Sequence, residues 1–316
     1  IVTQTGTKLT HLGMIKIQTD GKIISEMLSE IPKPEYNEAV YTFRDKKIRY
    51  ADPYMYRKIQ KMIDSHFDEI NEKIGYTDFD LRINVDNSGD SSKQISRSEE
   101  SILCDLVADA IRYVGEADIC IINAGSVRTD LLKGDITYQN VLDIMPFSNE
   151  IKIKEILGKD VLDALEYGTK NLPGKTSRLS QVSGITFKVN TSIKSSVEVD
   201  NEEMFVKVDG ERRVYDVMIG NEPLDLNKKY KISFPGYIAN GGDGYSMFNK
   251  YEETSSTLIL DNEAFTVYLK DVLKGKIPDK YKTVQGRITI IGNDEGNKVN
   301  NGCFVKKLSK VMSLII

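Results

Sequence analysis

The clearest pattern along the chain is a helical spacing of apolar residues. Asp52 and Pro53 are typical of a helix N-terminus, apolar residues then recur every three or four positions, and Gly75 ends the run. The sequence therefore predicts a helix over residues 53–74. Because its other positions are mostly charged, this helix either connects two domains, over residues 51–76, or lies at the periphery of one domain.

A second helical pattern runs from Ile102 to Val114 and ends at Gly115. Upstream of it, Ser96-x-x-Glu99 matches a capping box, which predicts that the helix begins there and places Arg97 in its first turn. A cation at that position opposes the helix dipole. Either a phosphate or carboxylate is bound there, or Arg97 is turned outward or paired with Glu100.

Short apolar or alternating runs predict the remaining elements. Strands are predicted at 118–122, 150–156, 184–189, 214–219, 230–234 and 287–291, and further helices near 158–167 and 262–273. Over residues 77–292 this mixture predicts an α/β fold, a mixed α+β sheet with flanking helices. Residues 1–50 are predicted to form short extended pieces around a turn at Gly13, with an alternating run at Val40–Phe43. Residues 293–316 are predicted to form either a frayed tail or a truncated anchor.

Composition narrows the classes of function. The 316 residues include 43 Lys and Arg against 47 Asp and Glu, a net charge of −4, which argues against a broad nucleic-acid surface. No run approaches the roughly 20 apolar residues of a membrane span. His11 and His66 are too few for a multi-histidine metal centre, so we expect no metal site and no catalytic residue in this chain. The start at Ile1 suggests a piece of a longer protein.

The turn Asn123-Ala-Gly-Ser-Val-Arg128 follows a predicted apolar strand, where ligand sites often lie in mixed sheets. The small residues around Gly125 are expected to leave backbone N–H groups uncovered for a ligand. Asn123 offers an amide, and Arg128 a guanidinium that matches phosphate or carboxylate. The alternative is a tight structural turn with a surface arginine.

Two aromatic residues lie in loops with polar neighbours. Pro146 would stiffen a turn that presents Phe147 to a planar ring, with Asn149 beside it to contact the edge of that ring. The alternative places Phe147 in the core. Tyr237 precedes a glycine-rich segment whose backbone needs several positive φ values, and Asp243 within it either accepts ligand hydroxyls or caps a structural turn.

Taken in order, these motifs resemble the C-terminal, substrate-binding domain of the 5'-nucleotidase family. The corresponding segments are Arg97-Ser-Glu-Glu100, Asn123-Ala-Gly-Ser-Val-Arg128, Gly134-Asp-Ile-Thr137, Pro146-Phe-Ser-Asn149 and Tyr237-Ile-Ala-Asn-Gly-Gly-Asp-Gly-Tyr245. The resemblance covers residues 77–292. It differs in detail, because alanine at 124 replaces a usual glycine, cysteine and aspartate at 104 and 105 replace a common Gly-Asn pair, and tyrosine at 237 replaces a frequent phenylalanine.

The resemblance implies a nucleotide or nucleoside ligand whose base is sandwiched between Phe147 and Tyr237. Stacking on aromatic rings tolerates many bases.

It also implies a role for each polar residue. Arg97 and Arg128 would contact the phosphate or ribose, Asn123 with Gly125 the region of the reacting phosphate, Asn149 the edge of the base, and Asp243 the ribose hydroxyls.

The same resemblance makes residues 1–50 a remnant of an N-terminal metallophosphatase domain and residues 51–76 the inter-domain connector. That domain, with its two divalent metal ions, would be missing here, so this chain would bind no cofactor and be inactive alone.

The implied function of the whole protein is hydrolysis of nucleoside 5'-monophosphates. The alternatives are a UDP-sugar hydrolase, a 2',3'-cyclic-nucleotide phosphodiesterase, or a non-catalytic nucleotide-binding surface module. Family resemblance suggests a periplasmic, secreted or cell-surface location. The oligomeric state is left open.

Overall fold

The computed structural model describes residues 12–17, 23–28, 40–43, 46–49, 53–84 and 93–292, and the chain forms two compact units, residues 1–68 and 69–316. In the first unit, β1 (Leu12–Ile17) pairs antiparallel with β2 (Ile23–Leu28), and β3 (Val40–Phe43) with β4 (Lys46–Arg49). The prediction of an extended run at 40–43 is confirmed. The turn predicted at Gly13 is wrong, because the β1–β2 ladder continues through it and pairs it with Met27. His11 and residues 293–316 lie outside the described residues.

The second unit begins within helix α1 (Pro53–Ile70) and contains most of the regular structure. Its strands are β5 (Lys73–Thr77), β6 (Ile119–Asn123), β7 (Gly134–Thr137), β8 (Glu150–Leu157), β9 (Ser180–Ser183), β10 (Ile185–Asn190), β11 (Val197–Val199), β12 (Phe205–Val208), β13 (Val214–Ile219), β14 (Glu222–Pro223), β15 (Lys229–Pro235), β16 (Glu253–Leu260) and β17 (Ile288–Ile291). Its helices are α2 (Ile102–Val114), α3 (Tyr138–Ile144), α4 (Gly158–Thr169), α5 (Gly236–Ala239) and α6 (Asp261–Val267), the last continued by a π-helical turn at Tyr268–Val272. No helix in these described ranges is long and apolar enough to cross a membrane.

The predicted α/β class is confirmed. A five-stranded mixed sheet has the order β16-β8-β15-β6-β9, and a four-stranded sheet has the order β14-β13-β10-β17. Strand β6 is parallel to β15 and antiparallel to β9. The predicted strand at 214–219 agrees with β13, whereas β9, β16 and helix α3 were not predicted.

Strand β6 is buried on both faces, which explains its unbroken apolar sequence. Cys120 and Ile122 pack into the core on the α2 side, and Ile119 and Ile121 pack into a second core on the α4 side. The five-stranded sheet therefore lies between two helices. This arrangement holds the C-terminal end of β6 rigidly, where Asn123 begins the turn described below.

Helix α1 ends at Ile70, four residues before the predicted end. Ile74 and Gly75 belong to β5, which pairs antiparallel with β7. The strand also contacts the segment after α6, since Tyr76 N–H donates to the Gly275 carbonyl at 2.8 Å. A β-carbon on Gly75 would lie 2.7 Å from the Leu269 side chain, so the glycine permits close packing rather than ending a helix.

Helix α2 begins at Ile102, and the capping box predicted at Ser96 and Glu99 is wrong. Residues Ile95–Arg97 form a separate 3₁₀ turn. The Gln181 side-chain amide from β9 donates to the carbonyls of Ser96 at 2.9 Å and Glu99 at 2.7 Å. The Glu99 N–H donates to the Ile95 carbonyl at 2.9 Å, and Ser96 Oγ has no hydrogen-bond partner among the described residues, so the reciprocal bonds of a capping box are absent and Arg97 lies outside α2. The predicted C-terminal end at 114 is confirmed.

Charged side chains are enclosed between α2 and the segment leading into β17. Asp109 accepts hydrogen bonds from Arg287 at 2.8 Å and from the Tyr281 hydroxyl at 2.6 Å. Although burial opposes ionisation, these bonds hold the pKa of Asp109 below its ordinary value. The ion pair therefore ties α2 to the C-terminal part of the unit.

Two further acids, Glu100 and Asp105, lie next to this ion pair. Glu100 accepts from Ile288 N–H at 2.9 Å, and Asp105 from Gln285 N–H at 3.3 Å. Their other oxygens, Glu100 Oε1 and Asp105 Oδ1, are buried without a hydrogen-bond donor among the described residues. Burial, reinforced by Glu100 and opposed by Arg287, raises the pKa of Asp105 to about 8. The Asp105 carboxyl therefore retains its proton more readily than an exposed aspartate does.

Candidate functional site

The turn after β6 is a short 3₁₀ turn covered by another loop. Ala124 N–H donates to the Leu179 carbonyl at 2.9 Å, and Gly125 N–H to the Ser177 carbonyl at 3.0 Å. The expectation that these N–H groups are uncovered is therefore wrong. A β-carbon on Gly125 would lie 3.1 Å from Cβ of Ser177, so the small residues make room for the loop around Ser177.

Asn123 connects this turn to Asp243. Its amide nitrogen donates to Asp243 Oδ2 at 2.8 Å, and its amide oxygen accepts a hydrogen bond from the Ser126 hydroxyl. The Tyr237 hydroxyl donates to Asp243 Oδ1 at 3.1 Å and accepts from the Asp243 N–H at 3.1 Å. Two separate sequence motifs therefore meet here. Asn123 comes from the first, and Asp243 and Tyr237, which lie 120 and 114 positions further along the chain, come from the second.

The glycine-rich segment has the positive φ values that its sequence predicts. They are 84° at Gly241, 53° at Asp243 and 92° at Gly244. The Tyr167 hydroxyl contacts the carbonyl of Asp243 at 2.8 Å. A β-carbon on Gly244 would lie only 1.9 Å from that hydroxyl oxygen, so the position requires glycine for space as well as for φ. Both interpretations of Asp243 remain compatible, because it braces the loop and its carboxylate lies beside Tyr237.

Arg128 contacts the second aromatic residue. Its guanidinium carbon lies 5.7 Å from the centre of the Phe147 ring, and the same group donates to the Gly125 carbonyl at 3.3 Å. Phe147 is 57% exposed and Tyr237 is 51% exposed. The alternative that Phe147 belongs to the core is wrong. Each of the two exposed aromatic rings therefore lies beside a charged side chain, Arg128 for Phe147 and Asp243 for Tyr237.

Arg97 approaches the same groups from the 3₁₀ turn. It donates to Gln94 Oε1 at 2.8 Å, and Gln94 contacts the Arg128 carbonyl at 3.4 Å. Partial burial and repulsion from Arg128 lower the pKa of Arg97, while Asp243 opposes that change. The guanidinium remains protonated at neutral pH. Pairing of Arg97 with Glu100 is not observed: the Glu100 carboxylate is buried, and one of its oxygens accepts from the backbone of Ile288.

Asn149 is held by a different neighbour. Its side-chain amide donates to Asp261 Oδ2 at 3.1 Å, and its carbonyl accepts from the Asp261 N–H at 2.8 Å. The next residue, Asn262, donates to the Ser148 hydroxyl at 3.0 Å. No sequence motif pointed to Asp261 or Asn262, although an Asp-Asn pair before an apolar helical run is a helix-start signal.

The structure thus links the eight predicted site residues through two sets of contacts. One contains Asn123, Gly125, Arg128, Phe147, Tyr237 and Asp243, with Arg97 approaching it. The other joins Asn149 to Asp261. Sequence reasoning missed the partners that hold these residues, namely Gln94, Tyr167, Ser177 and Asp261. Within the described part of the chain, no group of three or more His, Cys, Asp or Glu side chains could hold a metal ion.

Comparison with known proteins supplies a family for these features. The family model described as "5'-nucleotidase, C-terminal domain" matches residues 73–250, more than half of the chain. The chain is 28% identical over 297 residues to the trifunctional nucleotide phosphoesterase protein YfkN of Bacillus subtilis. The aligned region covers 91% of the chain and 18% of that protein. It is 30% identical over 182 residues to a 5'-nucleotidase of Vibrio parahaemolyticus, covering 57% of the chain and 29% of that protein.

Among solved structures, a 5'-nucleotidase precursor from Thermus thermophilus shares the fold. The TM-score is 0.61 at 23% identity, over 89% of the chain and 50% of that structure. The chain therefore spans less than a third of each of these two curated relatives and half of the solved neighbour.

Proposed function

The chain belongs to the 5'-nucleotidase family of hydrolases through its C-terminal domain, and we propose that it forms the nucleotide-binding part of an enzyme that dephosphorylates nucleoside 5'-monophosphates. The base would lie between Phe147 and Tyr237. One observation carries the proposal: both rings are about half exposed, and each is held by a charged side chain, Arg128 for Phe147 and Asp243 for Tyr237.

Exposed aromatic rings held in this way suit a planar ligand. Their polar neighbours restrict their motion before any ligand arrives, which lowers the entropy lost on binding. Stacking of a base on an aromatic ring contributes about 1–3 kcal/mol. Because every base has two flat faces, the arrangement supports binding of several nucleotides rather than one.

The charged groups support an anionic ligand with hydroxyls. Arg97 and Arg128 repel one another, and a phosphate placed between them would relieve that repulsion. Asp243 accepts one hydrogen bond on each carboxylate oxygen from Asn123 and Tyr237 side chains. A carboxylate has about four acceptor positions, so capacity for ribose hydroxyls remains.

The hydrolytic step is assigned to residues beyond those described. The described residues include no group of three or more His, Cys, Asp or Glu side chains that could hold a metal ion. Family resemblance suggests two divalent metal ions held by a separate domain, where they would activate water. This chain alone would then bind nucleotides without hydrolysing them, in a protein located outside the cytoplasm. The name of the Bacillus relative favours a broader phosphoesterase as the second candidate.

Calorimetric titration of the chain with AMP tests the binding proposal. We expect binding by the unmodified chain and at least about a tenfold weaker affinity for Phe147→Ala and for Tyr237→Ala, because each loses one stacking face. Tyr215→Ala is the matched control, since it removes a partly exposed aromatic ring from β13 and should leave AMP binding unchanged.

Unchanged AMP affinity in both Phe147→Ala and Tyr237→Ala would overturn the stacking arrangement. Absence of AMP binding by the folded, unmodified chain would overturn the proposed function itself.

A further inference from the structure

The loop that carries Phe147 and Asn149 is anchored by the first two residues of α6. Asp261 bonds to both the side chain and the backbone of Asn149, and Asn262 bonds to the Ser148 side chain. Asp261 is buried, with 2% of its surface exposed. Ser148 has a φ of 49°, an uncommon value for serine, which the surrounding bonds stabilise. The position of Asn149, two residues after Phe147 in the chain, is therefore set from α6.

The chemistry of Asp261 also decides which way the Asn149 amide faces. Burial raises the pKa of Asp261, and the hydrogen bonds that it accepts from Asn149 and from backbone N–H groups oppose that shift. In its ionised form the carboxylate only accepts hydrogen bonds, so the amide nitrogen of Asn149 faces it. The other oxygen, Asp261 Oδ1, accepts from the Asn262 N–H at 2.9 Å. Reversing the Asn149 amide would place its oxygen against the carboxylate. Within the described ranges, Asn149 Oδ1 accepts no hydrogen bond, and one hydrogen of Nδ2 has no acceptor.

We infer that Asp261 is a positioning residue for base selectivity: by orienting Asn149, it favours bases that present an exocyclic amino group over bases that present a carbonyl at the same place. The inference rests on the proposed nucleotide site. The Asn149 oxygen accepts from the amino group, and its second amide hydrogen can donate to an adjacent ring nitrogen. Adenine presents this pair at N6 and N7, and cytosine presents the amino group at N4.

A keto base meets the wrong atom at this position. Hypoxanthine has an oxygen where adenine has its amino group, so two acceptors would face one another and Asn149 Oδ1 would lose its solvent without gaining a donor. A freely rotating asparagine could turn over and donate to that oxygen. Asn149 cannot turn without losing its bond to Asp261, so the discrimination comes from Asp261 although it does not touch the base.

Titration of the chain with AMP and IMP tests the inference, because the two nucleotides share ribose and phosphate and differ at the six position of the base. We expect AMP to bind at least about tenfold more tightly than IMP. In Asp261→Asn the new amide can donate or accept, so Asn149 can turn, and the AMP to IMP ratio should fall at least about threefold. Asp271→Asn, the same change at an exposed position, should keep the ratio of the unmodified chain.

The ratio of AMP affinity to IMP affinity distinguishes a positioning role from a structural one, because general damage to the loop would weaken the binding of both nucleotides equally. If Asp261→Asn does not fold by circular dichroism, Asn149→Ala decides the question, with a ratio near one expected and an unchanged ratio overturning the inference. Equal AMP and IMP affinities in the unmodified chain, both weakened by Phe147→Ala, would overturn this inference and leave the nucleotide site intact. Binding of neither nucleotide would instead overturn the proposed function.

Discussion

Arginine and aspartate side chains occur in two regions of the second unit, in opposite surroundings. Behind α2, Asp105 and Asp109 are enclosed with Arg287 and contact it directly. At the end of β6, Arg128 and Asp243 lie beside half-exposed aromatic rings, and each bonds to neutral groups instead. The same residue types thus form a closed network in one region and an open surface in the other.

The two regions differ in the groups that the charged side chains contact. In the enclosed network the partners come from positions about 180 apart in the chain, so each bond joins distant segments of the fold. Buried charges require such partners, because water is excluded. At the open surface the arginines have unused donors that solvent or a ligand can take. We therefore expect substitutions behind α2 to change stability and substitutions at the end of β6 to change binding.

The largest effect is expected for Arg287→Met. It removes the nearest cation from the enclosed Asp109 and Asp105, which should lower the free energy of unfolding by about 3–5 kcal/mol. Urea denaturation followed by circular dichroism measures the change. Arg57→Met is the control: Arg57 is exposed on α1, and its loss should cost no more than about 0.5 kcal/mol. An Arg287→Met chain as stable as the unmodified one would show that the network contributes little.

A smaller effect on the free energy of unfolding is expected for Asp105→Asn, and it becomes visible only when the pH is varied. The pKa of Asp105 is raised in the folded chain, so the folded state binds more protons than the unfolded state between about pH 4 and pH 8. The free energy of unfolding should therefore fall as pH rises through that window. Asparagine has no proton to lose and can donate to Glu100 at every pH, so the slope should decrease.

Urea titrations at pH 5 and pH 8 measure this slope for both proteins. Asp143→Asn, an exposed aspartate on α3, should keep the slope of the unmodified chain. The lowered pKa of Asp109 has the opposite sign: its contribution is present above about pH 4 and is lost on acidification below it. An equal slope in Asp105→Asn and the unmodified chain would show that Asp105 does not retain its proton in the folded chain.

The smallest effect is expected for Tyr237→Phe. It removes one hydroxyl that bonds twice to Asp243 but retains the ring. Because the site is half exposed and water can replace the hydroxyl, stability should fall by no more than about 1 kcal/mol. AMP affinity should stay within about threefold, since stacking depends on the ring. If Tyr237→Phe weakened AMP binding as much as Tyr237→Ala, the hydroxyl would be the group that binds.

Much of the second unit could be predicted from local patterns. Strand β13 has the predicted bounds, and the turn after β6 follows its strand as expected, because alternation and apolar runs report burial directly. Helix α3 escaped prediction although Thr137 and Asn140 form a real capping box at its start. The false box at Ser96 had the better sequence match, but the Glu99 N–H donates to the Ile95 carbonyl instead of the Ser96 hydroxyl. Gln181, 80 or more positions away, holds this turn by donating to the carbonyls of Ser96 and Glu99.

The sequence by itself determined the fold class, the family motifs and the residue types available at the site. These follow from local spacing and from short segments whose residues remain adjacent whatever the rest of the chain does. The tertiary structure decided which motifs meet, that Ser177 and Leu179 occupy the N–H groups around Gly125, and that Asp261 orients Asn149. Those outcomes depend on hydrogen bonds between positions more than 50 apart, and no local pattern specifies where such partners lie.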